Sequence, residues 1–236
     1  MYQDFISGFT SSFINTIFFY PAFTVMHKQF YNNKRITPLI KDIYKTRGIP
    51  GFYSGISIFS IYLPLSRGGD IYFQKKFENY TDNKTLNIGT GTLYSNIWKF
   101  FIYPVNTFQI NKQVLSNYKQ INVKNIWNGY TYNLYGGAIS NFSWFYIYNY
   151  MNDGFLNDNL YKSTMSGVGA SLISDTVSHP FKVYKLLKQT NQNYKFDLKT
   201  AYRGYSFRLF INSLQGGLYG FLWNRLDKLL YSNKDI

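Results

Sequence analysis

FFYPAF (residues 18–23), FIYPVN (101–106) and VSHPFK (177–182) are three versions of one phrase, each placing a proline inside an apolar run. Pro21, Pro104 and Pro180 stand 83 and 76 residues apart. Thirteen positions before them lie Gly8, Gly91 and Gly167, and nine before them Ser12, Ser95 and Ser171. Beyond them comes an aromatic-x-Gly triplet, Tyr53-Ser54-Gly55, Trp127-Asn128-Gly129 and Tyr202-Arg203-Gly204, with the glycine 34, 25 and 24 residues past its proline. Coincidence of three landmarks at matched offsets marks an internal repeat, the first feature to seek in any chain. The repeats divide a single domain, 1–236, into 1–83, 84–158 and 159–236.

Each repeat predicts two helices, near 5–30 and 56–77, 88–113 and 130–151, and 164–189 and 205–228. A membrane span needs about 20 mainly apolar residues, and these stretches read as six such spans. Gly-x-x-x-Ser puts two small residues on one helix face, where backbones approach closely in lipid. A proline inside a span is tolerated when neighbours or cavity water satisfy the freed carbonyl. In a soluble helical array the prolines would punctuate turns, whereas here they sit within the apolar runs. The expected class is therefore an all-α membrane protein of three helix pairs. Basic amphipathic links (32–48, 118–127 and 193–202) fall on one side and suit a membrane surface, with anionic lipid as a partner. The shorter links near 78–87 and 152–163 carry Glu78, Asp82, Asp153 and Asp158 and fall on the other side.

Composition narrows the function. The chain has 236 residues, of which 21% are aromatic, too many for a disordered chain. It contains no cysteine, which removes disulfides, thiolate nucleophiles and Cys-ligated metals. Nearly half the chain is Phe, Tyr, Met, Ile, Asn and Lys, the signature of an AT-rich coding sequence. That bias lowers the mean hydropathy to −0.25 without implying solubility. The net charge of +14 favours an anionic partner, yet the basic residues are spread over links and helix ends and form no single nucleic-acid patch. No P-loop, Ser-His-Asp set or His-Glu-x-x-His motif occurs, so neither enzyme chemistry nor a cofactor or metal is expected. His27 and His179 lack a second ligand in metal spacing and read as packing near the prolines.

These landmarks resemble the mitochondrial carrier family over essentially the whole chain. In that family each odd helix ends Pro-x-acid-x-x-base, often with Gln nine residues after Pro, and an acid-Gly-x-x-x-x-aromatic-base-Gly motif follows. Here Pro180 and Lys185 keep their places, Gln113 and Gln189 stand at the Gln position, Gly48 with Tyr53-Ser54-Gly55 keeps most of the later motif, and Tyr202-Arg203-Gly204 keeps its end. The acid positions are instead Phe23, Asn106 and Lys182, and the other base positions Met26 and Gln109, so no acid–base ring forms. On the far side Phe73-Gln74, Tyr148-Asn149 and Trp223-Asn224 put amides where the family has acids, and amide pairs are expected there, at roughly 1 kcal/mol each. The aromatic-rich chain also resembles carrier-like proteins encoded by giant DNA viruses.

The resemblance implies a monomer with one central site opened alternately to either side, in the mitochondrial inner membrane (a host's, if the chain is viral), without a cleaved leader. Gate residues would be Pro21, Pro104, Pro180, Lys182, Lys185, Gln113 and Gln189, with Lys182 and Lys185 as unpaired charge on the cavity floor. Ionisable residues at membrane depth are costly unless they face a cavity, which singles out Arg67, Asp70, Lys99 and Asp175. Lys99 and Asp175 each precede a proline by five residues and are placed either to pair or to meet substrate. Arg67 is an anion ligand or the partner of Asp70 one turn on. Gly136 and Gly137, with Asn141 a turn beyond, mark a slot for a nucleobase or a helix contact. Arg208 reaches a terminal phosphate or salt-bridges elsewhere. The expected activity is exchange of anionic nucleotides, deoxynucleotides such as dATP and dTTP among them. Phosphate, a carboxylate or an amino acid as cargo, or a non-transporting scaffold, are the alternatives.

Overall fold

The computed structural model describes residues 2–115, 125–154 and 160–232 and is all-helical there. Helices α1 (Tyr2–Asn32), α3 (Ile56–Lys76), α4 (Lys84–Val114), α5 (Tyr130–Gly154), α6 (Leu160–Gln189) and α8 (Tyr205–Ser232) fall where the sequence placed six. Between them lie α2 (Ile36–Arg47), a 3₁₀ segment (Ile49–Tyr53) and the short α7 (Leu198–Ala201). Most of the second basic link, 118–127, and Asp158 of the acidic link lie outside the described residues.

Local sequence sets the helix ends. Asn83 caps α4 by accepting from the Thr85 and Leu86 amides. Asp197 caps α7 through the Thr200 amide, and this contact holds its exposed carboxyl below the usual carboxylate range. α2 turns Leu39 and Ile43, four residues apart, inward while Lys41 and Lys45 stay in solvent. Gly55, Gly129 and Gly204 take φ of 85°, 81° and 69°, the left-handed region open mainly to glycine, immediately before α3, α5 and α8. The aromatic-x-Gly triplet is thus a chain reversal that starts the second helix of each pair.

One contact recurs at all three prolines. The residue before each proline reaches the carbonyl of the residue before each of these glycines. Tyr20 donates to Ser54 O (2.6 Å), Tyr103 to Asn128 O (2.7 Å), and His179 Nε2 bonds Arg203 O (3.2 Å). Three residues after Pro21 and Pro104, Thr24 and Thr107 donate to Phe52 O and Ile126 O. Each reversal also bonds to the next proline helix or the turn just past it: Ser54 donates to Lys112 O of α4, Asn128 to Asn191 beyond the end of α6, and Arg203 to Phe30 O of α1.

Helix packing runs α1–α3–α4–α5–α6–α8 and returns to α1. Two apolar clusters pack within this array. One, at the prolines, includes Tyr20, Phe23, Phe30, Tyr62, Ile110 and Leu187; the other includes Ile71, Trp144, Phe145, Tyr148 and Tyr219.

The distribution of polarity is inverted relative to a water-soluble bundle. From Gly91 to Gln109 every exposed residue of α4 is apolar or aromatic: Leu93, Tyr94, Ile97, Phe100, Phe101, Val105 and Phe108. The same stretch buries Thr92, Ser95, Asn96, Lys99, Asn106 and Thr107. α6 follows the pattern with one exception, exposing Leu172, Ile173 and Val177 together with Thr176, whose hydroxyl donates to Leu172 O, while burying Ser171, Ser174, Asp175 and Ser178. α1 exposes Phe13, Ile17 and Phe18 and buries Ser11, Ser12, Asn15 and Thr16. One expectation is corrected here. Among the described residues no single helix is long and apolar enough to cross a membrane by composition; only Ile36–Arg47 and Ile49–Lys76, bent by 111°, meet that condition together. The reason is the inversion itself, since a window along one helix averages the polar inner face with the apolar outer one.

Candidate functional site

A cavity of about 230 Å³ opens among the long helices. Each contributes to its wall, Ser12 from α1, Tyr62 from α3, Lys99 from α4, Ser140 from α5, Asp175 from α6 and Tyr219 from α8. Five cationic side chains line it (Arg67, Lys99, Lys182, Lys185 and Arg208) against two carboxylates, Asp70 and Asp175. Basic side chains therefore outnumber carboxylates by three on its wall, a balance that attracts anions.

The charges fall into two clusters. In the first, Asp70 on α3 is 1% exposed. It accepts Lys99 Nζ of α4 at 2.8 Å and Asn141 Nδ2 of α5 at 2.8 Å. Arg67 stands 3.8 Å from the other Asp70 oxygen, 5.7 Å from the Tyr219 ring centre, and keeps 37% of its side chain exposed. In the second cluster, Asp175 on α6 accepts Lys182 Nζ from its own helix at 2.5 Å. From α8, Arg208 donates to the same carboxylate by Nη2 at 3.0 Å and Nε at 3.3 Å, and Asn212 to its other oxygen. Lys182 also donates to Ser140 of α5. Lys185 has no carboxylate within ion-pair distance among the described residues; its Nζ donates to Asn133 Oδ1 at 3.1 Å and lies 5.9 Å from the Tyr103 ring.

Two expectations are corrected by this geometry. Lys99 and Asp175 do not pair with each other. Lys99 pairs with Asp70 of the adjacent α3, and Asp175 with Arg208 of the adjacent α8 as well as with Lys182 of its own helix. Lys182 is not unpaired charge, since Asp175 lies two helical turns back on its own face. Of the two floor lysines only Lys185 is free of a carboxylate.

Of the residues expected at the gate, the amides cross-link neighbouring helices. Gln113 donates to Thr24 Oγ1 (2.7 Å) while its carbonyl accepts His27 Nδ1 (2.6 Å) and Gln109 Nε2 (2.7 Å). Gln189 donates to Asn106 Oδ1 (3.2 Å) and Thr107 Oγ1 (3.1 Å). Gln113 and Gln189 thus tie their helices to the threonine three residues past the preceding proline. The corresponding positions of the third set hold Phe30 and Val183, both members of the apolar cluster. His27 and His179 serve this packing, His179 meeting Phe30 edge-on at 5.4 Å. At the far end the expected amide pairs do not form around Gln74, which donates instead to Ile88 O and Thr92 of α4.

Gly136 lines the cavity and is also a helix contact. A Cβ there would stand 2.6 Å from Phe181 Cβ, so α5 and α6 meet through the missing side chain. Gly137 lines the cavity facing Asn96 Oδ1. Among the rings on the cavity wall, which include Phe23, Phe59, Tyr62 and Tyr132, Trp144 and Tyr219 lie 5.9 Å apart, and Tyr219 is the one beside Arg67. Sequence reasoning missed both, along with Asn133, Ser140 and Asn212. The i, i+4 aromatic spacings Trp144/Tyr148 and Tyr219/Trp223 were the available signal.

No protein-family model matches the chain, and no curated protein matches it in sequence.

Proposed function

We propose that this chain is a membrane-embedded solute carrier of three helix-pair repeats, similar to the mitochondrial carriers, that exchanges anionic nucleotides through a central site. The observation that carries the reading is the inverted polarity of α4, which buries Lys99 and a row of amides and hydroxyls and exposes Leu93, Ile97, Phe101 and Phe108. In water each such exposed side chain forfeits about 2 kcal/mol of burial, a penalty that hydrocarbon removes. The exposed stripe from Leu93 to Phe108 is about 22 Å long at 1.5 Å per residue, most of a bilayer's hydrocarbon core.

The recurring contact at Pro21, Pro104 and Pro180 supports the threefold repeat. The excess of cations in the cavity supports an anionic cargo. Tyr219 beside Arg67, with Trp144 next to it, supplies ring surface near a guanidinium, which suits a nucleobase joined to phosphate. The protein works as a monomer without a cofactor, in the inner mitochondrial membrane of the cell in which it acts, and deoxynucleotides such as dATP and dTTP belong to its cargo. Phe30 and Val183 form the apolar third tie of a link-side gate whose other two ties are Gln113–Thr24 and Gln189–Thr107.

Purified protein in liposomes preloaded with one nucleotide and presented with a panel of others outside tests the reading. Counter-exchange is expected, with Arg67→Ala reducing it at least tenfold. No exchange with any nucleotide removes this cargo, and exchange untouched by Arg67→Ala removes the site. A protein that leaves liposomes unchanged for every anion is a scaffold.

A further inference from the structure

Asp175 is the most heavily coordinated acceptor in the cavity. Its two oxygens receive Lys182 Nζ, Arg208 Nε and Nη2, and Asn212 Nδ2, and the residue is 4% exposed. Two cations and an amide drawn from two helices onto one small anion make the kind of site that binds a phosphate oxygen. The difference is that the anion belongs to the protein. Lys185, three residues past Lys182, lines the same cavity with no carboxylate partner among the described residues. The other carboxylate is held differently: Asp70 takes Lys99 and Asn141 while Arg67 stays 3.8 Å away and partly exposed. The first cluster leaves its best anion ligand available; the second holds both of its cations on its own carboxylate.

We infer that Asp175 is a built-in stand-in for the substrate's anionic group, a positioning residue that substrate must displace from Lys182 and Arg208. The inference rests on the carrier reading and deepens it. In the unloaded protein the Asp175 carboxylate, held from its other oxygen by Asn212, keeps Lys182 and Arg208 converged and stops two buried like charges from driving their helices apart. It also ties α6 to α8, because Arg208 and Asn212 are α8 residues. An incoming phosphate group competes with the carboxylate for the two cations and, on binding, releases that tie. The empty site is thereby locked by its own carboxylate and the loaded site is freed, so reorientation depends on cargo and the protein exchanges instead of leaking. The specificity consequence is that an anion must out-compete a carboxylate already in place, which selects against weakly charged solutes.

The test uses Asp175→Asn, with Asp175→Glu as the conservative variant and Asn212→Ala as a variant that loosens the carboxylate without removing its charge. Inorganic pyrophosphate is the probe. Its stabilisation of detergent-purified protein against heat reports binding independently of transport, and efflux of preloaded ATP into ligand-free buffer reports the lock. In Asp175→Asn the half-saturating pyrophosphate concentration is expected to fall about tenfold, the scale of one charge-assisted hydrogen bond, and efflux without counter-substrate to rise several-fold. Asn212→Ala should shift both in the same direction by less, and Asp175→Glu should behave as wild type. A merely structural Asp175 predicts the opposite, pyrophosphate binding weakened or unchanged in both Asp175→Asn and Asn212→Ala and efflux unaltered, and that result overturns the inference. If wild type exchanges no anion yet Asp175→Asn binds pyrophosphate more tightly, the carrier reading fails and the stand-in role survives. If wild type exchanges and the variants bind no more tightly, the stand-in role fails alone.

Discussion

Replacing Asp70 with Asn removes one charge and almost no volume, so it isolates the electrostatics of the first cluster. The Lys99 ammonium sits 2.8 Å from Asp70, with side-chain exposures of 10% and 2%, and Arg67 at 3.8 Å adds a second cation. Stripping one partner from a buried pair typically costs about 3–5 kcal/mol, because the remaining charge is left desolvated and unpaired. Lys99 borders the cavity, where water reaches it, which places the loss near the lower end, at about 3 kcal/mol. For a chain of this size each kcal/mol moves the midpoint by about 2–4 °C, so Asp70→Asn should lower the thermal midpoint in detergent by roughly 6–12 °C. Removing the stranded cation as well, in Asp70→Asn/Lys99→Gln, should recover most of it. A double-mutant cycle across wild type, the two single variants and the double variant gives the coupling directly. A coupling below about 0.5 kcal/mol, the level at which independent sites simply add, would refute the reasoning.

Three further outcomes follow from particular contacts. Gly129→Ala should destabilise by about 1–2 kcal/mol from its positive φ alone, and by more because the added Cβ meets Lys185 O at 2.8 Å; thermal midpoints of Gly129→Ala and the control Gly89→Ala, a half-buried helix position where a Cβ meets nothing within 4 Å, check it. Gln113→Leu breaks three side-chain hydrogen bonds to Thr24, His27 and Gln109, and should cost about 2–4 kcal/mol at roughly 1 kcal/mol each plus the orphaned partners, seen as a lowered midpoint with a raised passive efflux. Asp197 has a folded pKa below its unfolded value of about 3.9, so its stabilisation is present above that pH and lost as pH falls through the folded value. The midpoint difference between wild type and Asp197→Asn should therefore be larger at pH 7 than at pH 3, and an equal difference at both excludes the carboxylate contact.

The helices were legible because their landmarks are backbone requirements. A left-handed reversal needs Gly55, Gly129 and Gly204, and close packing needs Gly136, whatever the surrounding composition. Their order in the array followed from repetition. The inverted polarity was not legible from hydropathy, because it resides in the contrast between faces. Leu93 and Ser95 are two residues apart and point to opposite environments, and an average over both loses the information.

Ion pairing was misread for a related reason. Equal offsets from Pro104 and Pro180 fix Lys99 and Asp175 at one depth, yet pairing depends on azimuth around the array and on what the second helices present there, Asp70 and Arg208. The aromatic wall of Trp144 and Tyr219 was hidden by the abundance of rings elsewhere in the chain. Gln113 and Gln189 were visible as a repeated position, and their partners Thr24 and Thr107 stand out only once the helices are side by side.

The central claim is that the apolar outer face meets lipid and the polar inner face meets water. The chain has no native cysteine, so single cysteines can report each face without background. In proteoliposomes, Ser140→Cys and Asn133→Cys on the cavity wall should react with a membrane-impermeant maleimide, and react more slowly with substrate present. Ile97→Cys, Ile173→Cys and Phe210→Cys, on the exposed apolar face, should stay unlabelled until detergent strips the lipid away. Rapid labelling of all three outward positions in intact proteoliposomes, with Ser140→Cys and Asn133→Cys inert, would contradict the account.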